Sequence, residues 1–99
     1  MPHELSPLMR AANRGHLAVV RLLVERGANV EFTDGDGFTA LTIAAGRGYW
    51  EIAKVIAGAG GDVAHKDARG LSALTAAEMT SDSELIAFFR NLQSDRPNA

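Results

Sequence analysis

The residues of this 99-residue chain that come nearest to a metal-binding motif are Asp34-Gly35-Asp36-Gly37. Alternating carboxylates of this kind open a calcium loop, because the ion takes oxygen ligands at every second position. The loop would then need a third oxygen ligand at Phe38, a glycine at Thr39 and a glutamate at Ala45, and none of these is present. We therefore interpret the segment as turn residues at the tip of a loop.

A second segment, Gly58-Ala59-Gly60-Gly61, has the glycine content of a phosphate-binding loop. A dinucleotide-binding loop would place its third glycine at Val63 and would follow a strand, and neither condition is met. The chain also contains no Gly-Lys-Ser/Thr sequence. The segment is more typical of a helix end, where glycine follows the last turn.

The sequence offers few candidate residues for nucleophilic or thiolate chemistry. The chain has no cysteine, which excludes disulfides, thiolate zinc sites and cysteine nucleophiles. We do not expect the histidines, His3, His16 and His65, to converge on one metal ion. The serines precede helical segments or lie near the C-terminus, which indicates capping rather than nucleophilic roles. We therefore expect no catalytic residue, no metal and no cofactor.

The composition is that of a folded globular domain, with 46% apolar and 22% charged residues. Twelve acidic residues against ten basic ones give a net charge of −2, which argues against nucleic acid and membrane surfaces as partners. No apolar run approaches the roughly 20 residues of a membrane helix. Residues Met1-Pro2-His3-Glu4 lack the basic and apolar regions of a secretory signal, so we expect a cytoplasmic protein.

The chain matches itself when it is shifted by 33 residues. Leu8 then aligns with Leu41 and Leu74, and several further columns hold identical or similar residues. These columns include Ala11/Ala44/Ala77, Gly15/Gly48, Gly27/Gly60, Val30/Val63 and Ser6/Thr39/Ser72. A ladder of matches at one period is typical of a repeat protein, in which neighbouring repeats share a core.

Each repeat reads as two short helices. In the middle copy, Thr39 is a good N-cap for a first helix over residues 40–45, and Gly46-Arg47-Gly48 ends it. Apolar residues at helical spacing, among them Ile52 and Ile56, predict a second helix. In the third copy, Ser81-Asp82-Ser83-Glu84 predicts a capping box in which Ser81 and Glu84 begin the second helix.

These motifs resemble the ankyrin repeat. The resemblance rests on four segments: the turn Asp34–Thr39, the first-helix segment Pro7–Ala12, the break between the two helices at Gly15-His16-Leu17, and the segment Leu22–Val30 that ends the repeat. It implies an all-α solenoid of three helix-turn-helix repeats, residues 1–33, 34–66 and 67–93, in a single domain over residues 1–93. Hairpin-like finger loops would span residues 28–38 and 61–71, and residues 94–99 would form a flexible tail.

The sequence departs from the family pattern at the histidine of the first helix. Met9, Thr42 and Thr75 stand in its place, which implies that its hydrogen bond to the neighbouring loop is weakened or missing. Three columns of the repeat alignment each contain a single charged residue. That residue is Arg10 in the first repeat, and Glu78 and Arg90 in the third. Because terminal repeats need a polar outer face, we expect a capped three-repeat domain.

The resemblance also implies a protein-binding module that acts without chemistry, through finger tips and the concave face of the first helices. Carried onto this sequence, the candidate contact residues are Leu5, Asn13, Arg14, Asp36, Phe38, Arg47, Arg69, Leu71 and Met79. The alternatives are a structural subunit or self-associating domain and, less favoured, an enzyme or small-ligand binder. We expect a monomer, with weak self-association as the alternative.

The aromatic residues have two interpretations. Trp50 aligns with Leu17, so core packing is favoured over a binding hot spot. Phe38 aligns with Leu5 and Leu71, and it either forms part of a contact surface or packs between neighbouring fingers.

Overall fold

The computed structural model describes residues 6–95, with side chains to residue 93. These residues form six α-helices and no strand. The helices are α1 (Pro7–Arg14), α2 (Leu17–Glu25), α3 (Ala40–Gly46), α4 (Trp50–Gly58), α5 (Ala73–Glu78) and α6 (Ser83–Asp95). The all-helical class predicted from the sequence is confirmed, and the finger loops of the described chain are built from turns.

The helices form two layers. The first helix of each pair packs on the next, α1 on α3 and α3 on α5, while α2, α4 and α6 form the second layer. Ala11, Ala44 and Ala77 occupy one column of the first layer and are all buried. Their small side chains let the three helices lie close together, so each repeat completes its core with its neighbour.

The first helix of each pair begins at a hydroxyl side chain. Ser6, Thr39 and Ser72 each accept a hydrogen bond from the backbone N–H three residues later, at 3.1 Å in all three repeats. These bonds satisfy donors that the first helical turn leaves free, as the sequence predicts. Pro7 at the start of α1 has no N–H to satisfy.

The substitutions for the family histidine are absorbed locally. Thr42 Oγ1 accepts a hydrogen bond from the Thr39 N–H at 2.8 Å and donates one to the Thr39 carbonyl at 3.0 Å. Met9 is fully buried in the core. The neighbouring loop is instead joined through the backbone, since the Leu74 N–H donates to the Val63 carbonyl at 3.0 Å.

The turn between the two helices of each repeat contains a residue with left-handed backbone. In the third repeat this residue is a serine instead of a glycine. Gly15 and Gly48 have φ values of 75° and 77°, and Ser81, in the same column, has φ 66°. The predicted Ser81–Glu84 capping box is therefore wrong, because an N-cap needs extended backbone. Asp82 is the cap instead: its Oδ1 accepts hydrogen bonds from the N–H groups of Glu84 and Leu85 at 3.1 and 3.2 Å.

The two fingers carry the same aspartate turn. Asp34 Oδ1 accepts hydrogen bonds from the N–H groups of Asp36 and Phe38 at 2.9 and 3.0 Å. The Asp67 carboxylate repeats this arrangement 33 residues later. The Asp34 carboxylate, which begins the calcium-like motif, therefore accepts the backbone hydrogen bonds of its own turn.

Two hydrogen bonds join the fingers to each other. The Ala68 N–H donates to the Asp36 carbonyl at 3.0 Å. His65 Nε2 lies 2.8 Å from the Gly37 carbonyl oxygen, and because that oxygen can only accept, Nε2 carries the hydrogen. These two hydrogen bonds therefore hold the neighbouring fingers together.

The ends of the stack differ from expectation in two respects. Val19 and Leu22 on α2 are 45% and 49% exposed, so the outer surface of the first repeat is more apolar than the charge columns predict. The residues one repeat later and two repeats later in the Val19 column, Ile52 and Leu85, are buried, because a preceding repeat covers them. Helix α6 runs to Asp95, so it includes residues 94–95 of the predicted tail, and residues 96–99 lie outside the described chain.

Candidate protein-binding groove

A groove of about 480 Å³ lies where the C-terminal ends of α1 and α3 meet the two fingers. Residues from all three repeats line it: Asn13, Phe38, Ile43, Gly46, Arg47, Tyr49 and Arg69. We call this site the Arg47 groove. It brings together four of the predicted contact residues, namely Asn13, Phe38, Arg47 and Arg69.

One nitrogen of the Arg47 guanidinium, Nε, is held by a hydrogen bond within the protein. Its Nε donates a hydrogen bond of 2.6 Å to Oδ1 of Asn13, which joins the first repeat to the second. Within residues 6–93, no carboxylate lies within ion-pair distance of Arg47. Its two Nη groups are therefore left to bind an external acceptor, and the charge of Arg47 is uncompensated within the described chain.

Arg69 is held in place by an aromatic ring and a carboxylate. Its guanidinium carbon lies 5.1 Å from the centre of the Phe38 ring, a cation–π arrangement between the two fingers. Its Nη2 donates to Oδ2 of Asp67 at 2.8 Å. Phe38 is half-buried, so it packs against the neighbouring finger and also lines the groove.

Gly46 makes room for this arginine. A Cβ at position 46 would lie 3.1 Å from Arg69 Nη2, so the guanidinium would have to shift by a few tenths of an ångström to admit it. The sequence pattern predicts only a helix end at Gly46. Its closeness to residue 69 depends on the spacing between repeats, which no local pattern encodes.

Asp67 keeps its charge although its side chain is fully buried. Burial alone would raise the pKa of Asp67. The hydrogen bonds from the Arg69 side chain and from the N–H groups of Leu71 and Arg69, together with the charge of Arg69, outweigh burial and lower that pKa below its ordinary value. Asp67 therefore remains ionised and neutralises Arg69.

Tyr49 lines the groove but is not among the contact residues predicted from the sequence. It is 36% exposed, and a Cβ on Gly15 would lie 3.1 Å from its ring, so the ring packs closely on the glycine of the first repeat. Ile43 adds an apolar side chain to the lining of the groove. A signal existed, since Tyr49 replaces the residue that is histidine at position 16.

The other predicted contact residues lie outside the groove. Arg14 and Asp36 are exposed, Leu71 is half-buried, and Met79 is 71% exposed beyond the end of α5. Leu5 lies outside the described residues. These four described positions are not among the residues that line the groove.

Trp50 belongs to the core, as predicted. Its ring centre lies 5.9 Å from that of Phe89, which is fully buried. Within the described chain, no group of three or more histidine, aspartate or glutamate side chains is arranged to hold a metal ion. None of the helices over residues 6–95 has both the length and the apolar character needed to cross a bilayer.

A family model described as ankyrin repeats, in three copies, matches residues 2–67. No curated protein matches the chain.

Proposed function

Because this chain belongs to the ankyrin-repeat family, whose members are generally protein-interaction modules, we propose that it is a non-catalytic module that binds a partner protein through the Arg47 groove and the adjoining finger tips. Solenoids of this kind bind through an extended surface formed by side chains from successive repeats. The Arg47 groove fits that description, since all three repeats line it. We place the protein in the cytoplasm as part of the same proposal.

The observation that carries the proposal is the state of Arg47. It lies in a groove beside the aromatic rings of Phe38 and Tyr49, and arginine and tyrosine are common in binding hot spots. Asn13 fixes its Nε, while no described carboxylate pairs with it. A partner therefore meets a cation that is already positioned, which lowers the entropy lost on binding.

The size of the domain limits the affinity. Three repeats present a small footprint, and small interfaces are mostly weak or transient. We therefore expect modest affinity, or a partner that makes a second contact elsewhere.

The test compares two variants in affinity capture followed by measurement of binding with each purified candidate. Phe38→Ala combined with Arg47→Ala should abolish capture of the true partner, while Arg21→Ala on the exposed surface of α2 should not. Circular dichroism checks that both variants keep the helical fold. A partner that binds both variants equally well would show that the groove is not the binding site.

A second candidate function is self-association, and the exposed apolar residues of α2 favour it. Val19 and Leu22 are each nearly half exposed, and Phe32 of the first finger is 41% exposed. Sedimentation over a range of concentrations tests this candidate, with Leu22→Glu as the variant. A concentration-dependent dimer in the parent chain that Leu22→Glu abolishes would support it.

A further inference from the structure

The charge of the Arg47 groove is opposite in sign to that of the whole chain. The net charge of the protein is −2. Helices α1 and α3, with the residues that cap them, carry Arg10, Arg14 and Arg47 and no acidic residue. A groove of this kind attracts acidic groups in preference to basic ones.

The groove itself carries one uncompensated positive charge. Two arginines line it, and the buried Asp67 carboxylate neutralises Arg69. Arg47 has no such partner within residues 6–93. One positive charge is balanced by one monoanionic group, whereas a phosphate dianion would leave excess negative charge in the groove.

We propose that the partner places a single carboxylate on Arg47, from an aspartate or glutamate side chain in a peptide segment, with an apolar residue beside it. This inference rests on the proposed function and names the chemistry of the segment that the groove binds. An arginine that uses only Nε internally offers both Nη groups, and a carboxylate accepts from such a pair in a bidentate arrangement. A lysine could not reproduce this planar geometry.

The apolar part of the segment is assigned from the apolar residues that line the groove. The Phe38 ring, the Ile43 side chain and the Tyr49 ring line the groove next to the arginines. An aliphatic or aromatic side chain of the partner would cover these groups and exclude water from the carboxylate–arginine pair. Exclusion of water strengthens that pair, because the interaction of charges rises as the surroundings become less polar.

The experiment is a selection of random dodecapeptides on the immobilised full chain. We expect the selected peptides to share an aspartate or glutamate next to an aliphatic or aromatic residue. One selected peptide and its acid-to-amide counterpart are then titrated against the parent chain, Arg47→Gln and Arg47→Lys. A phosphoserine version of the peptide forms the dianionic arm of the test.

Removal of either charge of the pair, by Arg47→Gln or by the acid-to-amide change in the peptide, should weaken binding about tenfold or more. The two removals combined should weaken it little further, because both delete the same contact. Arg47→Lys should recover only part of the loss, and Arg21→Gln, which removes an exposed arginine of α2, should change affinity less than about threefold. Thermal unfolding of each variant confirms the fold.

The outcomes separate this inference from the proposed function. Peptides that lose binding to Phe38→Ala but carry no acid, or bind Arg47→Gln unchanged, would overturn the carboxylate inference and leave the groove as a binding site. Tighter binding of the phosphoserine version would also overturn it, in favour of a dianion. Failure to select any peptide that depends on the groove would overturn both.

Discussion

Arg47 Nε donates a hydrogen bond to Asn13 Oδ1 over 2.6 Å, which ties the end of the first helix of repeat one to that of repeat two. The equivalent positions one repeat later are Gly46 and Thr80, and a glycine has no side-chain oxygen to accept such a bond. The Arg69 guanidinium lies against Gly46 instead. The groove therefore arises from a break in the repeat symmetry, since the two junctions are built from different residues.

Ser81→Gly should stabilise the protein by about 0.5–1 kcal/mol. Ser81 has φ 66°, a left-handed conformation that costs a residue with a Cβ about 1–2 kcal/mol, while glycine loses part of that gain through its flexibility in the unfolded chain. Urea unfolding measures the change. Ser81→Ala keeps the Cβ and should show no gain, so an equal gain in both variants would contradict the explanation by strain.

Gly58→Ala should stabilise the protein by up to about 1 kcal/mol, because alanine has the higher helix propensity and no atom beyond the neighbouring residues and the helix's own backbone lies within 4 Å of the added Cβ. Gly60→Ala is the matched control. It also adds its Cβ into open space, but at φ 106°, so it should destabilise the protein. Urea unfolding of the two variants should give changes of opposite sign, and changes of the same sign would contradict the prediction.

Ile52→Ala should cost about 2–4 kcal/mol, because Ile52 is 3% exposed and its removal leaves a cavity between α4 and its neighbours. Val19→Ala, in the same column of the first repeat, should cost less than about 1 kcal/mol because Val19 is 45% exposed. Denaturant midpoints measure both. A Val19 loss as large as the Ile52 loss would show that Val19 is covered in solution.

The features that local chemistry determines are the ones that the sequence predicts well. The 33-residue period, the caps at Ser6, Thr39 and Ser72, and the core position of Trp50 all follow from residue type and spacing. The left-handed residue at Ser81 could also have been found, since it aligns with Gly15 and Gly48. The motif that predicts a capping box there competes with the turn, and the turn prevails because every repeat requires it.

The groove could be predicted only in part. Asn13, Phe38, Arg47 and Arg69 follow from the family resemblance, but their mutual contacts do not. Whether Arg69 reaches Phe38 depends on the distance between fingers, and whether Asp67 neutralises it depends on burial. Both are properties of packed repeats. The net charge of the groove therefore could not be obtained from the residue list alone.

Asp67→Asn should destabilise the protein by about 1–3 kcal/mol at neutral pH, because it removes a charge-assisted hydrogen bond between the buried Asp67 carboxylate and the half-exposed Arg69 side chain. The folded-state pKa of Asp67 is lowered, so its contribution is complete above the ordinary aspartate pKa of about 3.9 and is lost as the pH falls through the folded-state value. The difference between parent and variant should therefore shrink as the pH falls below about 3.9.

The control for this prediction is Asp34→Asn, at the same position of the other finger. Asp34 accepts backbone hydrogen bonds, but no arginine pairs with it in the described chain, so its replacement should cost less. Urea unfolding at a series of pH values measures both variants. A difference between parent and Asp67→Asn that grows as the pH falls would contradict the lowered pKa.

Asn13→Asp should neutralise the groove from within. The new carboxylate would stand where Oδ1 now accepts from Arg47 at 2.6 Å, and would form an ion pair with it. The gain in stability should stay below about 1 kcal/mol, because the pair is exposed. The affinity for a selected acidic peptide should fall about three- to tenfold, and the salt dependence of binding should weaken. Asn13→Ala, which keeps the charge of Arg47 but frees its Nε, should weaken binding less. Isothermal titration at two salt concentrations measures both variants, and equal losses would mean that Asn13 acts by positioning Arg47 rather than by leaving its charge available.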